Sequence, residues 1–324
     1  MNEGDPLVCA YLLDGRGGGI AADWTAIENW DPMQGLLWIH LDSNLPAAHT
    51  WLENKSGLSL LTRESLLDEG TRPRNSVSED GLLVILRGIN FNPGQDHEDM
   101  VAIRMLFSEH RIITLRYRRV MAVQDIKQAI QADQGPRNAG DFFVMAADRI
   151  ADRMAGIIDG LDDSVDAMED QVLTAETQEL RTSLAGLRRK AISLRRYIAP
   201  QRDVLYRLMQ ERTALLDDVD RIHLREVVER TARFVEDLDS ARDRAAITQE
   251  ELNNKLAEQM NKAMYRLAIV AAIFLPLGLI TGLLGINVGG IPGSDYKWAF
   301  DVVTALLVVI AIGLLLWFKK IKWL

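Results

Sequence analysis

Hydrophobic and polar positions change their rhythm three times along the chain. Over residues 1–118, short apolar runs at Leu7 to Leu13, Leu36 to Leu41, Leu82 to Asn90 and Val101 to Arg116 read as strands, the last broken at a Glu109-His110 turn. Helix-like pieces near Ala47 to Lys55 and Thr62 to Leu67 lie between them, followed by a loop from Gly70 to Asn75. From Val120 onward the pattern is helical. The fold class is therefore α+β, a sheet domain in front and helices behind.

The helical part begins with an amphipathic segment, Asp141 to Glu179, whose apolar stripe is Met154, Ile158, Leu161, Val165, Met168 and Val172. Its other faces carry Asp159, Asp162, Asp163, Asp166, Glu169 and Asp170, and no Lys or Arg occurs between Met154 and Leu180. Such a face is either solvated and paired within the protein or a surface that gathers cations. The next stretch, Arg181 to Arg202, reverses the sign, and a helical hairpin would let the two stretches pair.

Between Pro200 and Pro276 roughly 75 residues contain neither Gly nor Pro, enough for one helix of ~110 Å. Its stripe runs Val227, Thr231, Phe234, Leu238, Ala241, Ala245, Thr248, Leu252, Leu256, Met260, Ala263 and Leu267. One small domain cannot cover a stripe of that length, so it should pack on copies of itself or on neighbouring helices.

The stripe runs on into an uncharged span of about twenty residues, Leu267 to Ile286, long enough to cross a bilayer. A second span, Val302 to Phe318, follows after roughly a dozen residues and is extended by Trp298, Ala299 and Phe300, with Trp317 and Trp323 at its far end. The pair forms a hairpin. Lys255, Lys262 and Arg266 precede it and Lys319, Lys320 and Lys322 follow it, whereas the connection carries only Asp295 and Lys297, so both termini are expected in the cytoplasm. The expected division is an α/β domain at 1–140, an acidic and basic helical hairpin at 141–202, a stalk helix at 203–266 and the membrane hairpin at 267–324.

Composition narrows the chemistry. The net charge of −9 over 324 residues argues against nucleic acid and suits cations. The single Cys9 excludes a disulfide framework within one chain, and no cleavable leader is evident at the start. There is no Gly-rich phosphate loop, paired catalytic spacing or metal-ligand motif, so neither an enzyme nor a bound cofactor is expected. His40, His49, His97 and His110 are scattered and are assigned structural roles.

Two spans per chain cannot enclose a polar path, so permeation requires several copies around an axis. Met264, Leu267, Ala271, Leu275, Gly278 and Gly282 share one face of the first span, which suits a pore lining that closes by dewetting. At its outer end, Asn287 either holds a hydrated cation through its carboxamide or caps a helix, and the glycines either line the path or let helices pack.

The Gly285-Ile286-Asn287 tripeptide between two C-terminal spans, Pro276 within the first, the long preceding helix and the ending Lys319-Lys320-Ile321-Lys322-Trp323-Leu324 resemble the CorA metal-ion transporter superfamily. Trp38-Ile39-His40-Leu41-Asp42, Thr71-Arg72-Pro73-Arg74 and Leu86-Arg87-Gly88-Ile89-Asn90 extend the resemblance over the soluble part. Ile286 in place of the Met usual in magnesium channels, with Gly289, Gly290 and Pro292 after it, is similar to the ZntB zinc-transporter branch. The resemblance implies a homopentamer of the bacterial inner membrane with a funnel of α/β/α domains, and pore positions at Met264, Leu267, Leu275, Gly278 and Asn287. Gly278 departs from the hydroxyl residue common in the magnesium channels. Zn2+ is the implied cargo, with proton-coupled uptake favoured over export; a passive Mg2+ or Co2+ channel is the alternative, and a membrane-anchored scaffold the reading from another class. No Cys, His, Asp or Glu lies within a span, so no tight metal site is expected there, and protons would have to use Asp295, Asp301 or soluble acids.

Overall fold

The apolar runs of the first part pair into one sheet. The computed structural model describes residues 4–320 apart from 71, 175–177, 212, 214, 287–292 and 294–295. The chain divides into two units, Met1–Gln249 and Glu250–Leu324.

In the first unit, strands β1 (Leu7–Leu13), β2 (Gly19–Ala21), β3 (Leu36–Asp42), β4 (Arg74–Ser78), β5 (Gly81–Gly88), β6 (Val101–Phe107) and β7 (Arg111–Arg116) form a sheet in the order β2-β1-β3-β7-β6-β5-β4. Only the β3–β7 pair is parallel among these neighbours, with Trp38 opposite Ile112 and His40 opposite Thr114. Two of these strands escape the hydrophobic pattern. β4 occupies the end of the expected Gly70 to Asn75 loop, because Asn75 pairs with Val84 through backbone bonds while most of the strand stays polar and open to solvent. β2 is similarly short, with Ile20 exposed.

Side chains of successive residues enter opposite layers, as a pleated strand requires. Leu37, Ile39, Leu41, Leu83, Ile85, Leu106, Ile113 and Leu115 face a core shared with Leu52 and Leu66 of helices α2 (Pro46–Asn54) and α3 (Leu60–Leu67), beside the short α1 (Trp24–Glu28). The alternate positions carry Trp38, His40, Phe107 and Thr114. Trp38 meets Phe142 edge-on at 4.9 Å and Phe107 meets Phe143 at 5.9 Å, both partners lying on helix α5 (Ala139–Thr174). The sheet is thus covered on both faces in an α/β/α arrangement. Helices α4 (Met121–Gln131) and α6 (Gln178–Gln210) complete the second face.

The lack of Gly and Pro after Pro200 suggested an unbroken rod, but α6 ends at Gln210 and a separate helix, α7 (Asp218–Leu284), starts eight residues later. A reciprocal cap explains the stop. Asp220 donates its N–H to Asp217 Oδ1 at 2.8 Å, and Asp217 donates its N–H to Asp220 Oδ2 at 3.2 Å. Arg221 closes the other side, donating from Nη1 to the carbonyls of Met209 at 3.1 Å and Glu211 at 2.8 Å. The expected boundary at 203 therefore falls inside α6, and the one at 266 falls inside α7.

Within α7 the expected stripe is buried at Val227, Thr231, Phe234, Leu238, Ala241, Ala245, Thr248 and Leu252. Leu256 is half-buried, and beyond it Met260 and Leu267 are 65% and 70% exposed. The second unit holds the end of α7 and helix α8 (Ala299–Lys320), both apolar and long enough to cross a membrane.

Candidate ion pathway and acidic helix face

At ~100° per residue, Met264, Leu267, Ala271, Leu275, Gly278 and Gly282 project from one side of α7, and all six are exposed. Ile269, Ala272, Ile273, Pro276, Leu277 and Ile280 project from the opposite side and are buried or half-buried. The span is thus open along most of its surface and partly covered on one side, around Ile269. No charged group interrupts it from Leu267 to Ile286.

Pro276 lacks the N–H that would bond the Ala272 carbonyl, a gap at which helices bend. One turn later, Thr281 donates its hydroxyl back to the helix, with the carbonyls of Leu277 at 3.0 Å and Gly278 at 3.1 Å both in reach. Its hydroxyl is thereby committed to the backbone. Gly285 ends the helix, its N–H reaching the Thr281 carbonyl at 2.9 Å, and Ile286 after it is exposed. Asn287, Gly289, Gly290, Pro292 and Asp295 lie outside the described residues, while Lys297 and Trp298 are exposed beside α8. In α8, Asp301 sits in the first turn and Lys319 and Lys320 in the last, the charge order that the helix dipole favours.

Among the ion pairs of the described residues, the acids of α5 meet arginines of α7, whereas the charge pattern had suggested the basic stretch of α6. Arg244 spans three carboxylates: Nη1 meets Asp162 at 2.9 Å, Nη2 meets Glu169 at 2.6 Å, and Nη2 also contacts Asp166. These bonds to Glu169 and Asp166 raise the guanidinium further above its ordinary value. About four turns earlier on α7, Arg230 bridges Asp148 at 2.6 Å and Asp152 at 2.8 Å. From the basic stretch, Arg195 pairs with Asp239 of α7 at 2.7 Å and Arg202 with its neighbour Asp203. The physical reason is geometric: α7 shares its buried stripe with the unit that contains α5, so residues flanking that stripe fall opposite the α5 acids.

Asp159 and Asp163 are exposed and make no ion pair among the described residues. Nearby, burial holds the Asp237 carboxyl above the usual carboxylate range, reinforced by the negative charges of Asp162 and Asp159. Asp170 is exposed at the end of this face. Sequence reading missed both Arg244 and Asp237; the signal was their position beside Ala241, Ala245 and Leu238 on the buried stripe.

The histidines have structural places. His40 is fully buried, its Nδ1 2.8 Å from Thr114 Oγ1, and burial pushes its pKa down to about 3. His49 Nε2 meets the Ser43 carbonyl at 2.9 Å, and the His97 ring lies against Phe91 at 5.1 Å. Among the described residues no three His, Cys, Asp or Glu side chains come together to hold a metal ion.

An α/β/α unit whose last helix runs on into one apolar span, with a second apolar helix after it, is the architecture of a membrane protein with a large soluble part. The chain belongs to the CorA-like Mg2+ transporter protein family, whose model matches residues 33–320, and its members are transporters and not enzymes. The chain is 36% identical over 317 residues to the zinc transport protein ZntB of Yersinia enterocolitica, covering 98% of this chain and 96% of the relative. It is 37% identical to the divalent cation transporter CmaX of Pseudomonas aeruginosa, covering 98% and 97% of the two chains. The solved structure of full-length CmaX superposes with a TM-score of 0.86 over 99% of this chain and 100% of that one. The CorA magnesium transporter of Methanocaldococcus jannaschii shares the fold at 22% identity, with a TM-score of 0.84 over 98% of this chain and 99% of that one.

Proposed function

We propose that the chain moves divalent cations, Zn2+ first among them, across the bacterial inner membrane through a ring of five copies, with the side of α7 that carries Met264, Leu275 and Gly282 lining the path. The observation that carries this reading is the uncharged side of the first span, where all six expected lining positions are exposed while Ile269 opposite them is buried and Ala272, Ile273, Pro276, Leu277 and Ile280 are half-buried. An uncharged lining without Cys or His suits a cation that keeps most of its water, since stripping a divalent ion completely is costly. Asn287, with Gly285 and Ile286 before it, supplies a neutral ring of oxygens at the outer mouth. The relatives named for zinc and for divalent cations support the choice of cargo. The lysines flanking the hairpin support cytoplasmic termini.

Reconstitution tests the proposal. Vesicles loaded with a zinc- or magnesium-sensitive dye should show Zn2+ entry that rises with an inward proton gradient and disappears in Asn287→Ala, while pentamers still form. Normal flux in that variant would remove the selectivity ring. A second reading, passive flow of Mg2+ or Co2+, is favoured by the lack of titratable groups within either span. Magnesium entry indifferent to pH would establish it instead.

A further inference from the structure

The soluble unit holds a second polar feature that the ion path leaves unused. A cavity of ≈ 470 Å³ opens where β5, β6, the end of β7 and α6 meet, lined by Arg87, Arg104, Tyr117, Arg118, Tyr197 and Asn44. Arg104 is 1% exposed, and no carboxylate among the described residues lies within ion-pair distance of it. Its Nε and Nη2 both donate to the Asp68 carbonyl, at 3.2 Å and 2.6 Å, while its buried Nη1 has no partner. The guanidinium lies 4.6 Å from the centre of the Tyr117 ring. Arg87 lies in the same way 4.4 Å over Tyr197 and donates from Nη1 to the Met100 carbonyl at 2.6 Å.

A guanidinium flat on an aromatic ring keeps its N–H donors at the edges, where they suit the oxygens of an oxyanion. A buried cation with no carboxylate in direct contact is costly, and the charges of Asp68 and Glu69 offset this only from a distance, so such a site gains by admitting an anion. Burial holds both guanidiniums below their ordinary values; Tyr197 opposes this at Arg87, and Tyr117, Asp68 and Glu69 oppose it at Arg104, while Arg87 adds to it at Arg104, and Arg196 and Arg118 add to it at Arg87. Tyr197 already carries Arg87 and Arg196 over its ring, the latter at 4.8 Å, so it offers no face to a nucleobase. Glu69 and Asp99, both exposed at the cavity, disfavour an extended polyanion. We propose that this cavity binds a compact phosphate group, free or as a small monoester, between Arg87, Arg104 and Arg118.

The test uses the full chain in detergent without divalent metal, titrated with inorganic phosphate, glycerol phosphate or chloride at equal ionic strength, and read by calorimetry and thermal unfolding. Phosphate should bind saturably and stabilise where chloride does not, with affinity falling about tenfold in Arg104→Gln and roughly threefold in Arg118→Ala. Arg118 is exposed, so its variant keeps the fold and carries the test even where Arg104→Gln does not fold. Preference between the two phosphates identifies the source of the ligand. Equal responses to phosphate and chloride, or unchanged phosphate binding in Arg118→Ala and in Arg87→Lys, would overturn the assignment. The readout is independent of metal flux.

Discussion

Replacing Arg244 by Gln removes one cation from among three carboxylates and tests whether the acidic face of α5 is neutralised from within. Asp162 and Asp166 are 46% and 58% exposed at their side chains and Glu169 37%, so each pair has the modest worth of a solvated ion pair, about 0.2–1 kcal/mol. Summed over three pairs and discounted for solvent screening, the loss is about 1–2 kcal/mol. Thermal unfolding of the detergent-solubilised protein should therefore fall by roughly 3–6 °C at low salt. Screening supplies the control: at 1 M salt the Debye length shrinks to about 3 Å, and most of the difference should vanish. Millimolar Mg2+ should restore the variant more than it stabilises the wild type, since three carboxylates are left without their guanidinium. An equal loss at low and high salt, or no loss at all, would refute the electrostatic account of this contact.

Other outcomes follow from the same geometry. Asp159→Asn with Asp163→Asn removes two acids of this face without an ion pair among the described residues; lower flux or altered cation sensitivity in vesicles is expected if the face gathers cations, and unchanged flux assigns it to solvent. Burial raises the Asp220 carboxyl above its ordinary value, so the folded chain holds that proton more tightly and loses this stability as pH rises through the raised folded value. Asp220→Asn keeps an oxygen for the Asp217 N–H and should flatten that part of the stability profile in pH-dependent unfolding. Leu238→Ala, at a fully buried position, should cost about 2–5 kcal/mol, whereas Leu275→Ala, at a site 71% exposed, should leave unfolding within about 0.5 kcal/mol of wild type but change ion flux.

The strands were legible where burial imposed an apolar run. Leu7 to Leu13 coincides with β1, and Leu36 to Leu41 falls one residue short of β3. β4 was not, because Arg74, Asn75, Ser76 and Ser78 are held by backbone pairing at the sheet edge, which leaves no hydrophobic trace. The stretch between α6 and α7 contains neither Gly nor Pro; its signal was the Asp217 and Asp220 spacing, a capping pattern that stands out only once the helix ends are known. Charge runs showed that the α5 acids needed cations but not which ones. That choice depends on how α5 and α7 share a core, a non-local fact.

The order of burial along α7 also bears on how the protein is made. Synthesis proceeds at about 5–20 residues per second and domains fold as they emerge, so the sheet and its covering helices are made roughly 4–15 seconds before the hairpin is finished. The stripe from Val227 to Leu252 is sealed within the chain itself. A nascent chain therefore exposes no long sticky ridge to the cytosol while it waits. The bare residues from Met260 onward appear only as the first span follows them from the ribosome, when insertion into lipid can shelter both. Truncation before the hairpin should accordingly leave a soluble, well-behaved fragment, and on the proposed function the meeting of copies becomes an event of the membrane, late in the life of each one.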